Sequence, residues 1–232
     1  MYLGNGTYTV DLGAGDDIVY LTTNASSING NTGTDEAIVR AFDGFVDVYI
    51  DLKFSTYFVP SKLTAQDGMD VSLQNFEKVT IDGNVAATIL GTAAADTLIG
   101  DAGADTITGR EGADTLTGGS RSDTFIFTTG DTGITLDTAD TITDFSTGTD
   151  KIDIATVGNY VEADGAGNAN IAAFITDADA SLPTTSIDIY AEYNFNGEGN
   201  TLVVIDEDKS GAVNTGDTLI ILTGLSTADG LD

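Results

Sequence analysis

The 232-residue chain has no cysteine and no histidine. Without cysteine it has no disulfide and no thiol nucleophile, as in many exported bacterial proteins. Without histidine it lacks the base of Ser-His-Asp and Cys-His catalysis and the usual zinc ligands. Basic residues are also scarce, 8 against 37 acids, for a net charge of −29 that repels nucleic acid and anionic membrane. No apolar run approaches the ~18 residues of a spanning helix, so no membrane insertion is expected. No N-terminal signal peptide is legible: Met1 runs at once into Gly-rich sequence. The chain reads as a fragment that begins inside a repeat array, with Met1 added. Acidity of this degree fits a solubilising or disordered chain, or one that binds cations. Disorder conflicts with a hydrophobic content of 41% and abundant β-branched residues. Cation binding fits better, because the acids cluster in Gly-rich turns.

What is present is a period of nine. Gly91, Gly100, Gly109 and Gly118 open four consecutive units, with Asp96, Asp105, Asp114 and Asp123 at the sixth place and Leu98, Ile107, Leu116 and Phe125 at the eighth. Four units in one register form a tandem repeat. The first six residues of each are small and polar and make a tight turn. The last three centre on one large apolar side chain and make a short strand with one inward residue. Two such half-coils close a coil of eighteen residues. The predicted fold is all-β: a parallel β-roll whose core contains Ile89, Leu98, Ile107, Leu116 and Phe125. Eighteen-residue stacking places Asp96 over Asp114 and Asp105 over Asp123, a like-charge repulsion that a hard cation between carboxylates and turn carbonyls removes. Oxygen-only ligands favour Ca²⁺ over zinc or copper, and several ions are expected.

The units resemble the RTX (repeats-in-toxin) nonapeptide, Gly-Gly-x-Gly-x-Asp-x-hydrophobic-x. Second- and fourth-place matches vary. Gly103 and Gly112 keep the fourth-place glycine; Ala94 and Arg121 replace it; Thr92, Asp101 and Arg110 replace the second-place one. The resemblance implies calcium at Gly91, Gly100, Gly103, Gly109, Gly112 and Gly118 together with the four aspartates.

The same period runs from the N-terminus, with Val10, Val19, Ile28 and Ala37 at eighth places. Asp17 and Asp35 lie eighteen apart and predict a further calcium site, with Asp17 as a plain turn residue the alternative. Tyr8 and Ser26 stand on the intervening edge, which is expected to hold no ion. Residues 39–82 interrupt the phase. Val46 to Leu52 alternates as a strand, and Leu73, Phe76, Val79 and Ile81 continue the coil. Tyr57 and Phe58 are either packed or an exposed assembly patch. The expected blocks are 1–38 and 83–127 for the repeats, 39–82 for a joining β segment, and 128–232 for a β-rich cap.

After Phe127 the pattern changes. Asp140 to Ile154 resembles the segment that follows the repeats in serralysin-type C-terminal domains, which places Asp144 and Asp150 near a terminal calcium or a tight turn. Ile171 to Ala180 reads as a short helix with Ile175 and neighbouring alanines inward. Ile187 to Tyr193 reads as a strand, Asn194 to Asn200 as a hairpin loop, and Thr201 to Ile205 and Thr218 to Leu222 as strands. The loop between the last two resembles the Asp-x-Asp-x-Asp/Asn-Gly calcium loop. Asp206, Asp208 and Ser210 take its first, third and fifth places, Ala212 its carbonyl place, Asn214 its ninth, and Asp217 its twelfth in place of Glu. A plain acidic β-loop is the alternative.

No His-Glu-x-x-His or Gly-x-Ser-x-Gly motif is present, and a noncatalytic chain is expected. The resemblance implies extracellular, calcium-driven folding after export by type I secretion machinery that reads a C-terminal signal. Two classes remain open. One is the C-terminal part of a bacterial surface (S-layer) protein that self-associates into a lattice, with surface polysaccharide as a further partner. The other is the noncatalytic tail of a secreted protease, lipase or adhesin.

Overall fold

A computed structural model describes residues 1–3, 9–21, 27–40, 47–52, 69–74, 76–154, 159–163, 168, 170–182 and 188–225. Tyr8, Ser26, Val46, Tyr57 and Phe58 lie outside the described residues.

The first five strands alternate between two facing sheets: β1 (Tyr2–Leu3), β2 (Thr9–Asp11), β3 (Ile18–Leu21), β4 (Ser27–Asn29) and β5 (Glu36–Arg40). Then β6 (Asp47–Leu52) and β7 (Met69–Gln74) both join the second sheet. Alternation resumes with β8 (Lys78–Asp82), β9 (Ala86–Leu90), β10 (Thr97–Ile99), β11 (Thr106–Thr108), β12 (Thr115–Thr117), β13 (Thr124–Phe127), β14 (Asp140–Ile142) and β15 (Lys151–Ile154). The first sheet runs β1-β3-β5-β8-β10-β12-β14 and the second β2-β4-β7-β6-β9-β11-β13-β15, with every pairing parallel. This is the expected β-roll.

Its core follows from the half-coil. Each three-residue strand of the central array, β10 to β12, buries only its middle residue. Successive middle residues stack in register: Val19, Ala37, Val79, Leu98, Leu116 and Ile142 along the first sheet, and Ile89, Ile107, Phe125 and Ile152 along the second. All of these except Ile152 are fully excluded from solvent. One large apolar side chain per half-coil fills the narrow space between sheets, so the turns need supply only small residues.

The interruption at 39–82 is absorbed by one extra strand in the second sheet. Glu36 pairs with Lys78, so the first sheet passes directly from β5 to β8. In the second sheet β7 sits between β4 and β6, out of chain order.

Beyond β14 the first sheet is completed by β19 (Thr218–Leu222), β18 (Asn200–Asp206), β17 (Asp188–Phe195) and β16 (Asn159–Ala163). Here β17, β18 and β19 are antiparallel neighbours. Inner residues Ala191, Val203, Ile205, Ile220 and Leu222 join the roll core. The outer face of the same strands carries a second core under α1 (Ile171–Ser181). The Asn170 side chain caps α1 by accepting from Ala173 N–H. Phe174 and Ala178 are its innermost residues, with Ile175 half-buried beside them. Phe174 packs edge-on to Phe195 and tilted against Tyr190. No described helix is long and apolar enough to cross a membrane.

Candidate metal sites in the stacked turns

Each sixth-place acid precedes a strand by one residue, so the parallel register carries it along one edge of the roll. The backbone N–H of one such acid donates to the carboxylate of the next coil. Asp17 N–H reaches Asp35 Oδ1 at 2.8 Å, Asp96 N–H reaches Asp114 Oδ1 at 2.8 Å, and Asp105 N–H reaches Asp123 Oδ1 at 2.8 Å. The stacked pairs expected from the eighteen-residue offset are all present.

The ladders run further than the nonapeptides. Asp35 N–H donates to Glu77 Oε2 at 2.7 Å, and Asp114 N–H donates to Asp140 Oδ1 at 2.8 Å. On the opposite edge Ala87 N–H donates to Asp105 Oδ1, and Asp123 N–H to Asp150 Oδ1. Glu77 and Asp140 escape a reading in nines because the phase breaks before each. The recoverable signal is an acid two residues before an inward apolar residue: Glu77 before Val79, Asp140 before Ile142, Asp150 before Ile152. Asp150 also accepts from Ser146 N–H, and Asp144 accepts from Gly118 and Gly119 N–H, so both shape tight turns.

On Asp35, Asp105, Asp114, Asp123 and Asp140 one carboxylate oxygen thus accepts a ladder bond and the other does not. Oδ2 of Asp17, Asp35, Asp105, Asp114, Asp123 and Asp140 is buried without a hydrogen-bond partner. An unpaired carboxylate oxygen away from water is expensive unless a cation meets it. The opening glycines keep the space beside these atoms clear. A Cβ on Gly100 would collide with Asp105 Oδ2 and the Gly118 carbonyl, and one on Gly109 would collide with Asp114 Oδ2. On Gly91 it would meet the Gly109 carbonyl and Asp96 Oδ2, and on Gly118 it would meet Asp123 Oδ2. Each cradle is therefore lined by carboxylate and, at Gly91 and Gly100, by a carbonyl oxygen of the next coil. An all-oxygen set of this kind fits Ca²⁺. Gly103 and Gly112 serve differently: a Cβ on either would collide with the Val85 or Ala94 carbonyl one coil earlier.

The electrostatics agree. Burial pushes Asp105 and Asp114 up to about 7 and Asp140 up to about 8, with neighbouring carboxylates adding to the effect. Burial also raises Asp123, with Asp150 and Asp144 contributing. Asp96 rises less, to about 6, because Thr92 hydrogen bonds and the Arg110 charge oppose its burial.

The 206–217 loop joins β18 to β19. Carboxylate oxygens of Asp206, Asp208 and Asp217 lie within 4.8 Å of one another. Gly211 turns at φ 70°, and its N–H donates to Asp206 Oδ2 at 2.8 Å. Asn214 Nδ2 stands at the hub, 3.0 Å from Asp208 Oδ2, 3.0 Å from Ser210 Oγ and 2.9 Å from the Ala212 carbonyl. Burial raises Asp217 to about 6 and also raises Asp206, whereas hydrogen bonds from Ser210 and Asn214 lower Asp208. Of the expected loop ligands, the three aspartates bring carboxylate oxygens together, while the Asn214 amide links Asp208, Ser210 and Ala212.

A family model for the RTX calcium-binding nonapeptide repeat (4 copies) matches residues 90–125. No curated protein matches the chain. The matched stretch is a calcium-binding repeat array, and the unpartnered oxygens of Asp105, Asp114 and Asp123 lie within it.

Proposed function

With a four-copy RTX array at its centre, we propose that this chain is the calcium-folded structural region of a secreted bacterial surface protein, which assembles a cell-surface lattice of the S-layer kind and carries a C-terminal type I secretion signal. The observation that carries the reading is the set of six buried, unpartnered carboxylate oxygens. A roll with these atoms is incomplete without cations, so cation binding becomes folding energy. Low calcium inside a cell keeps such a chain unfolded for export, and high calcium outside folds it.

The ions sit between Asp17 and Asp35, at Asp114, and between Asp105 and Asp123, with the carbonyls of Gly100, Gly109 and Gly118 as further ligands and Gly103 and Gly112 shaping the turns; at Gly91 and Asp96, also expected as ligands, the carbonyl is bonded to Arg110 and the carboxylate to Thr92. A separate ion sits at Asp206, Asp208, Ser210, Ala212 and Asp217. Residues 1–38 and 83–127 are the repeat blocks, 39–82 joins them, and 128–232 forms the cap with the secretion region. Thr-, Ala-, Gly- and Asp-rich composition with few bases supports a surface scaffold, with surface polysaccharide as a further partner.

The cap supports a second reading. Asp140 to Ile154 forms β14 and β15 and resembles the segment closing the repeats in serralysin-type tails. On that reading the chain is the noncatalytic end of a secreted protease, lipase or adhesin. Calcium titration followed together by circular dichroism and light scattering separates the two. β structure followed by large ordered particles, with calcium and not magnesium, is the lattice outcome. Folding without assembly selects the tail. A chain equally folded in chelator overturns the calcium reading.

A further inference from the structure

One member of the ladder differs from its neighbours. Asp96 has the same place in its unit as Asp105, Asp114 and Asp123, yet its Oδ2 is not orphaned. It accepts from Thr92 N–H at 2.6 Å and from Thr92 Oγ1 at 2.9 Å. Asp96 itself is only 4% exposed, so these bonds replace solvent rather than compete with it. The carbonyl of Gly91 is also engaged: Arg110 Nη1 donates to it at 2.6 Å from the coil above. Arg110 also acts electrostatically on Asp96, as a favourable positive charge.

Thr92 and Arg110 are both second-place residues, and both stand where the repeat has glycine. Arg110 accepts an unfavourable backbone to do so, at φ 71°. The chain has only 8 basic residues, and this one bridges two coils at a turn lined by acids. A guanidinium carries a permanent positive charge and presents several donors in one plane. It meets a carbonyl and stabilises a carboxylate across two turns, as a calcium ion does elsewhere in the ladder.

We propose that Arg110 and Thr92 together replace the calcium ion of the Gly91–Asp96 turn, so that this coil is closed by the protein's own cation while its neighbours wait for metal. The proposal rests on the calcium reading of the other turns. It makes the Gly91 coil a metal-independent nucleus. The coil is held in low calcium by Arg110, and the metal-dependent coils on either side add to it as calcium rises. It also gives the departures from the repeat a purpose: two glycines are lost where their loss removes the need for an ion.

The test counts ions on the full chain. Wild type, Thr92→Gly/Arg110→Gly and Asp114→Asn are saturated with calcium, checked for folding by circular dichroism, and measured by equilibrium dialysis. Restoring both glycines frees Asp96 Oδ2 and the Gly91 carbonyl, and the double variant is expected to bind about one more ion per chain than wild type, at a higher folding midpoint in calcium. Asp114→Asn is expected to bind fewer. A folded double variant with an unchanged or smaller count overturns the proposal while leaving the calcium reading intact. A double variant that stays unfolded in saturating calcium overturns it too, because a turn able to take up the ion would fold. Wild type that binds no calcium overturns the underlying reading instead.

Discussion

At the scale of single residues the roll is governed by burial of carboxylates more than by repulsion between them. Desolvation is the largest influence on Asp96, Asp105, Asp114 and Asp140, and neighbouring acids add less. This sets the sign of a pH effect. Without metal, the folded chain holds protons on these groups up to about 6, 7, 7 and 8, whereas an unfolded aspartate releases its proton near 3.8. The folded state binds more protons across that window, so apo stability is greatest at its acid end and falls as pH rises through it. Circular dichroism in calcium-free buffer is expected to show β structure increasing on acidification from about pH 8 to about pH 5. Saturating calcium is expected to abolish or invert that trend, because the ion takes the place of the protons. A metal-free signal that falls on acidification would contradict the burial argument.

At the scale of elements, the sequence conveys much of the design. Glycine, aspartate and apolar residue at first, sixth and eighth place are enough to derive half-coils, inward residues and the stacking of Asp96 on Asp114. The alternation in Val48, Ile50 and Leu52 identifies β6 as a strand. It does not reveal that β7 lies between β6 and β4, because neighbours in a parallel sheet are chosen by long-range packing. Glu77 is hidden for the same reason: its place in the ladder follows from the β5–β8 pairing and not from a count of nine. The helix is legible, but its buried face is centred on Phe174 and Ala178, since the outer surface of β17 to β19 presents Tyr190 and Phe195 to it. Phe174→Ala removes a fully buried ring from that second core. A loss of about 3 kcal/mol in denaturant unfolding of the calcium-loaded protein is expected. Calcium bound in the ladders should stay at the wild-type count, because the ladders lie in the turns and not under the helix; only the 206–217 loop, whose Val213 packs on that core and donates to Asp179, touches it. A loss of more than one ion would show that cap and ladders are one unit.

For the whole molecule, a charge of −29 and a set of buried orphan oxygens are two different obstacles to folding, and salt separates them. Monovalent salt shortens the screening length to about 3 Å near 1 M and suppresses long-range repulsion. It does nothing for a carboxylate oxygen sealed inside a turn. Concentrated sodium chloride without calcium is therefore expected to leave the β signal well short of its calcium-loaded value. Full recovery in salt alone would make net charge, and not the turns, the barrier.

The out-of-order strand has a kinetic consequence. A parallel roll grows as a zipper, each new coil laid on the last with little chain to close. Zippering from the N-terminal end meets β6 before β7, but the vacancy beside β4 belongs to β7. Zippering from the C-terminal end meets β7 before β6, but the vacancy beside β9 belongs to β6. Growth from either direction is expected to halt at the same point until β6 and β7 dock as a pair, so the coils before β6 and those after β7 are expected to form in separate steps, which stopped-flow refolding in calcium would resolve as two phases.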